Sequence, residues 1–333
     1  MKHVFQNPSP SIKYHCTTTK EIENIIMSFK SSNSCGYDEV PTKLLKLCSH
    51  FINSPLNDIC SRTLSTGVFP DRLKYAIIRP LFKKGNKIMS NYRPISILTS
   101  FSKLFEKVMQ TRLLKHLTDH NILSKEQYCF RTNLKTDNAT HQLTNETLNA
   151  LNNNLLIGGI FCNLEKAFDC VNHKILLPKL EFYGITGNHY KLYKSYLTNR
   201  YQRTLLYNEN GNITTSTWAK IEHGVPQGSV LGPLLFLIFR NDLPKFLNYK
   251  SVPILFGDDT SILLCHSNPT DFNNNINTVF KVLNNWFKQN LLSLNLTKTQ
   301  FTNFTTRNNN QIEININYNN KFIPTITYTK FIS

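Results

Sequence analysis

No C-x-x-C pair occurs in this sequence. Its eight cysteines are scattered from Cys16 to Cys265, which leaves neither a zinc site nor a disulfide framework. They read as reduced thiols, several of them in apolar runs such as Ile160-Phe161-Cys162. No apolar h-region follows Met1-Lys2-His3-Val4, so the opening is not a secretory signal peptide. The longest apolar run, around Leu234 to Phe239, is too short to cross a bilayer. A reducing interior, cytoplasmic or nuclear, and no membrane partner are therefore expected. Carboxylates are scarce: 21 Asp and Glu stand against 38 Lys and Arg, a formal net charge of +17. That excess favours a polyanionic partner, of which nucleic acid is the commonest, though charge alone also fits a merely basic soluble protein. No segment repeats at a fixed period, which excludes a solenoid.

What is present suffices for one large domain or two subdomains, since 333 residues carry 40% hydrophobic content. Asn152-Asn153-Asn154, Asn273-Asn274-Asn275 and Asn308-Asn309-Asn310 read as polar loops. Phe101, Leu104, Phe105, Val108, Met109, Leu113 and Leu117 share one face of a helix. A second helix is expected from Asn172, an N-cap, toward Gly184, a stop, with Pro178 disturbing its regularity. A third carries the stripe Phe272, Ile276, Val279, Phe280, Leu283, Trp286 and Phe287. Strands are expected at Leu155–Cys162, around Ile254–Phe256 and at Ile262–Cys265, the last two flanking a tight turn over Gly257-Asp258-Asp259-Thr260. The mixture predicts an α+β fold in which an antiparallel sheet is backed by helices.

Adjacent aspartates at a hairpin tip repel each other, and a divalent cation relieves that repulsion. Nucleotidyl transfer uses such a site, with two ions about 3.5–4 Å apart on the attacking and leaving oxygens. An Asp-Asp pair by itself is also compatible with an ordinary polar turn. Gly224, Gly228 and Gly232 in Gly224-Val225-Pro226-Gln227-Gly228-Ser229-Val230-Leu231-Gly232-Pro233 permit close backbone approach to a nucleotide or duplex, and Gln227 can hydrogen-bond it. Lys83, Lys84 and Arg93 can neutralise phosphates, as any surface cation can.

Taken in order, these segments resemble the fingers and palm of the reverse transcriptase of a non-LTR retrotransposon. Leu81-Phe82-Lys83-Lys84-Gly85 and Asn91-Tyr92-Arg93-Pro94-Ile95-Ser96 are similar to its fingers motifs, and Gln127-Tyr128-Cys129-Phe130-Arg131 to another, with Cys129 where the family has Gly. Asn133-Leu134-Lys135-Thr136 stands where the family has N-H-S-T. Gly224–Pro233 resembles the template–nucleotide grip, and Gly257-Asp258-Asp259-Thr260 the metal hairpin. Trp286, Asn290, Leu294, Asn295 and Lys298-Thr299 resemble the helix and loop that follow it. Phe161-Cys162-Asn163-Leu164-Glu165-Lys166-Ala167-Phe168-Asp169 resembles the motif whose first Asp binds both metals, but Asn163 occupies that position here.

The resemblance implies a right-hand polymerase fold, with residues 1–30 an ill-defined segment, 31–157 fingers and 158–333 palm. Thr329-Lys330-Phe331-Ile332-Ser333 resembles the start of the primer grip, so the thumb is expected to be absent, as is a preceding endonuclease. Asp258 and Asp259 would bind two Mg²⁺ ions, or Mn²⁺ in their place, with Asn163 at the degenerate ligand position and Lys298 as proton donor. Phe168 would gate the sugar, and Gln227, Gly228, Arg93, Lys83 and Arg131 would contact nucleotide or template. The partners would be an RNA template, a DNA primer and dNTPs. Glu165, two residues from Asn163, would share its face only if the strand continued. Asp169 is assigned to local pairing or helix capping. Weak or absent activity is expected, with Asn163→Asp alone insufficient to restore it. The alternatives are a non-catalytic nucleic-acid-binding or vestigial protein, separated by Asn163, and an RNA-dependent RNA polymerase, against which Phe168 argues.

Overall fold

The structure, a computed structural model, describes residues 8–129, 131, 134–207, 210–247, 251–305, 316–318, 321–324 and 326. The chain forms two compact units, neither of them continuous in sequence. One takes its described residues from Leu123–Cys170 and Leu237–Ser333, the other from Asn7–Ile122 and Val171–Phe236. The primer-grip-like segment Thr329–Ser333 and Asn308–Asn310 lie outside the described residues, as do Phe130 and Asn133.

The first unit is built on a four-stranded antiparallel sheet, in the order Val252–Phe256, Asp259–His266, Leu156–Cys162, Gln300–Phe304. Leu156–Cys162 pairs on both edges and is almost wholly buried, which is why it reads as an unbroken apolar run rather than an alternating one. Its Gly158 has a packing reason: an added Cβ would sit 2.4 Å from Phe301 Cζ, so the Phe301 ring occupies that space. Helix Thr136–Asn152 packs against three of these strands. Helix Pro269–Gln289 packs on Asp259–His266, and Phe272, Ile276, Val279, Phe280, Leu283, Trp286 and Phe287 are its buried residues, as the periodicity predicts. Asn268 caps it, accepting from Thr270 N at 2.8 Å.

Asn273-Asn274-Asn275, read from sequence as a loop, lies inside this helix. Asparagine is a poor helix former by a few tenths of a kcal/mol, and the buried stripe on either side outweighs it. The hairpin turn is also tighter than predicted. Phe256 and Asp259 form the closing pair, so only Gly257 and Asp258 make the turn while Asp259 and Thr260 belong to the strand.

The second unit carries a five-stranded sheet, in which Tyr75–Phe82 lies between Tyr92–Leu98, antiparallel, and Arg200–Tyr207, parallel. Ile213–Thr215 and Ala219–Ile221 both pair with Arg200–Tyr207. Helix Ser100–Asp119 begins at Thr99, whose Oγ1 accepts from Ser102 N at 3.0 Å, and buries Leu104, Phe105, Val108, Met109, Leu113 and Leu117. Helix His173–Phe182 is capped by Asn172 and accommodates Pro178 without a break. Gly184 ends it at φ +88, where a Cβ would meet Pro10 O at 2.0 Å. None of the eight cysteines forms a disulfide, and no described helix is long and apolar enough to cross a membrane.

Three histidines of this unit, His116, His173 and His189, are held below the usual 6.5, in each case mainly by burial. His116 and His173 bind the carbonyls of Tyr183 and Gly224 through Nε2, at 2.8 and 2.7 Å. Below pH 6.5 the unfolded chain takes up protons that the folded unit resists, so their contribution to stability is complete above that pH and is lost as pH falls toward the folded values. The urea midpoint should therefore fall between pH 7.5 and about 5.5, and His173→Gln should flatten the decline. A midpoint that rises over that range would contradict the assignment.

Candidate active site

The first unit gathers three of the sequence-predicted segments. Leu156–Cys162 runs antiparallel to Asp259–His266, ending at the pair Cys162–Thr260. Asn163 follows Cys162 and Asp259 precedes Thr260, so both lie just beyond the last rung between these two strands. The strand stops there because Asn163 turns to a new partner: its carbonyl accepts from Asn295 N at 2.8 Å, and Glu165 N donates to Ser293 O at 2.9 Å. Glu165 consequently lies exposed in a turn rather than on a continued strand. Asn295 also starts the turn that carries Lys298, whose N–H donates to Asn295 O at 3.1 Å. The exposed Lys298 thus belongs to the same local structure as Asn163. Phe168 lies half-buried in the turn that follows.

The half-buried Asp258 and Asp259 owe their position to the two-residue turn. Gly257 at φ +58 takes the first central place, where a positive φ suits the right-handed twist of the flanking strands. Arg240, which sequence reasoning missed, holds this turn. It is 1% exposed; Nη1 donates to Gly257 O at 2.6 Å, and Nη2 to Asp259 O at 3.2 Å and Thr260 Oγ1 at 3.1 Å. Burial draws its pKa down to about 10, against the opposing pull of Asp258 and Asp259, so it stays protonated at neutral pH. The available signal was a cation closing the apolar run Leu234–Phe239.

Asp258 and Asp259 are the carboxylates that the hairpin itself carries. Among the described residues no group of three His, Cys, Asp or Glu side chains could hold a metal ion. This oxygen set suits a hard cation such as Mg²⁺, which is commonly held by one or two carboxylates together with substrate phosphates. It fits one such ion, and lacks the charge for a pair.

The second unit gathers a different set. Lys83 and Arg93 are exposed near the joined end of the strand pair Tyr75–Phe82 and Tyr92–Leu98. Three residues past Arg93, Ser96 N donates to Gln227 O at 2.7 Å, which docks the glycine-rich loop on this sheet. Gly228 is required there: its φ is +104, and a Cβ would come within 3.0 Å of Ser96 O. The loop is held elsewhere by Gly224 N donating to Val171 O at 2.8 Å, and by Ser229 Oγ accepting from Gly232 N at 3.0 Å.

Another anchor is Glu106, a second residue missed from sequence. This fully buried carboxylate accepts from Val230 N at 2.6 Å, Leu231 N at 3.3 Å and Tyr196 Oη at 3.0 Å. Burial pushes its pKa up, while Arg200 and the donors pull it down. A Glu set among Leu104, Phe105, Val108 and Met109 was the sequence signal. Arg131, expected to contact nucleotide or template, has Nη1 tied to Ser124 O at 2.8 Å in the first unit.

Residues 82–320 match the family model of reverse transcriptase (RNA-dependent DNA polymerase). The chain is similar to a probable RNA-directed DNA polymerase from transposon BS of Drosophila melanogaster, 32% identical over 84% of this chain and 31% of that protein. It is likewise similar to the RNA-directed DNA polymerase from mobile element jockey of the same species, 30% identical over 76% of this chain and 28% of that protein. The chain spans about a third or less of the length of these relatives. Among solved structures, a C-terminally truncated apo telomerase from Candida tropicalis aligns at a TM-score of 0.49 and 15% identity, over 78% of this chain and 57% of that one.

Proposed function

This chain belongs to the reverse transcriptase (RNA-dependent DNA polymerase) family, and from that membership we propose that it is the fingers and palm of a non-LTR retrotransposon polymerase whose catalytic centre is weakened by Asn163. The observation that carries the reading is the strand pair that ends at Cys162–Thr260, which brings the chain just before Asn163 beside the turn that Arg240 clamps. In this reading an RNA template and a DNA primer are bound, and dNTPs are added to the primer end. Family membership implies dependence on a divalent metal. The full reaction requires two Mg²⁺ ions, with Mn²⁺ a substitute, and the second would depend on substrate phosphates for the charge Asn163 does not carry.

A bound divalent ion supplies Lewis-acid stabilisation of the charge that develops during phosphoryl transfer. The chain's own residues do the rest. Asp258 and Asp259 provide the anionic oxygens and Asn163 a neutral one. Phe168 closes the space a ribose 2′-OH would need, which selects deoxynucleotides. Gln227 and Gly228 offer a close backbone approach to the nucleotide, and Lys83 and Arg93 neutralise its phosphates. Arg131 adds a template contact, and Lys298 donates the proton to the departing pyrophosphate. Asn163 and the buried cation at Arg240 favour one second reading, a chain that still binds nucleic acid but no longer transfers nucleotides.

A primer–template binding titration tests the shared premise. Because cations neutralise phosphates and release counterions, affinity should fall steeply as salt rises, with little dependence on sequence. Absence of binding at low salt, or affinity indifferent to salt, would remove both readings.

A further inference from the structure

A guanidinium is costly to bury unless charge and hydrogen bonds compensate it. Arg240 receives both from one feature, the carboxylate hairpin. Gly257 O, Asp259 O and Thr260 Oγ1, which accept from it, lie on either side of Asp258. Asp258 and Asp259 are the carboxylates whose charge acts on it, and the remaining titratable groups facing it are the Cys129 and Cys162 thiols. Two carboxylates against one guanidinium leave a single net negative charge around the turn. With Asp in place of Asn163, as in the motif this segment resembles, that charge would be doubled. A divalent cation entering the site meets a positive charge already seated behind its ligands.

We infer that Arg240 is a positioning residue that acts as an internal counter-cation: it holds the Gly257–Thr260 turn in shape without a bound metal and weakens divalent-cation binding at Asp258 and Asp259. This rests on the reading of those two aspartates as metal ligands. Two consequences follow from one side chain. The hydrogen bonds fix the backbone that carries the carboxylates, which stabilises the metal-free fold. The charge opposes any cation drawn to the same carboxylates, an effect that a purely mechanical clamp would not have.

The two roles separate in a Mn²⁺ titration of the whole chain, read by thermal denaturation and by the electron paramagnetic resonance of free Mn²⁺. The proteins compared are wild type, Asn163→Asp, Arg240→Gln and Arg240→Lys. Arg240→Gln is neutral but can still donate to Gly257 O; it should melt lower than wild type without metal and bind Mn²⁺ about tenfold more tightly. Arg240→Lys keeps the charge and loses the fork; it should also melt lower, with Mn²⁺ affinity within about twofold of wild type. An Arg240→Gln protein that folds only when Mn²⁺ is present would support the inference as directly. One that binds Mn²⁺ no more tightly than wild type, or that Mn²⁺ cannot rescue, would overturn it and leave Arg240 a backbone clamp. If Asn163→Asp also failed to bind Mn²⁺, the metal-site reading itself would fall, and the inference with it.

Discussion

Glu106→Ala should destabilise the second unit by about 3–5 kcal/mol, since each buried donor left without its acceptor costs roughly 1–3 kcal/mol. Glu106 is 0% exposed, and it answers several donors at once. Val230 N and Leu231 N would lose their acceptor at the point where helix Gly232–Arg240 begins. Tyr196 Oη would lose its bond as well. Arg200, 1% exposed, would lose the carboxylate whose charge faces it, and its Nε and Nη2 already lack a hydrogen-bond partner. Water cannot readily make good these losses in a packed interior. Glu106→Gln keeps the shape and an acceptor oxygen, so it should cost less, on the order of 1–3 kcal/mol. Urea denaturation followed by circular dichroism reads both. The function should suffer beyond stability, because Glu106 fixes the end of the loop that presents Gln227 and Gly228. An alanine variant within about 1 kcal/mol of wild type would refute this account of the loop.

Asn163→Asp should give a metal-dependent gain in stability larger than that of wild type. At a Mn²⁺ concentration about a hundred times the dissociation constant, the gain would be about 2.7 kcal/mol. The physical cause is the added negative charge just beyond the Cys162–Thr260 pair, next to the aspartate turn. The same missing charge should leave wild-type dNTP incorporation about 10²–10⁴ below that of a complete carboxylate set, equivalent to roughly 3–5 kcal/mol in the transition state. Stability should respond more clearly than primer extension, since extension also needs the primer end held in position, which a restored carboxylate does not supply. A wild-type chain that extends primers with Mg²⁺ at ordinary polymerase rates, about 1–10³ s⁻¹, would refute the argument at its root.

Much of the fold was legible because its signals are local. The stripe from Phe272 to Phe287 has helical spacing, and every residue in it is buried. Asn172 and Gly184 mark the ends of their helix by side-chain chemistry and by a positive φ. What misled were local preferences that packing overrides. Asn273-Asn274-Asn275 carries a loop-like composition, yet the buried residues around it extend the helix through it. The turn at Gly257 was drawn too wide, since only cross-strand pairing reveals that Asp259 already belongs to the strand.

The candidate site divides in the same way. Asp258, Asp259, Asn163, Gln227 and Gly228 could be named from sequence because they stand in short contiguous motifs, and so could the substitution of Asn163 for an expected Asp. Residue types and spacing along the chain determine that much, as they determine the basic charge that favours a polyanion. Arg240 and Glu106 could not be given roles that way. Arg240 acts on residues 17 to 20 positions further along the chain, and Glu106 on residues 124 and 125 positions away. Which carbonyl or amide a buried charge meets depends on how strands and helices pack, and the energy of that meeting depends on the exclusion of water. Only the tertiary structure decided that one buried cation stands behind the carboxylate turn and one buried carboxyl group behind the glycine-rich loop.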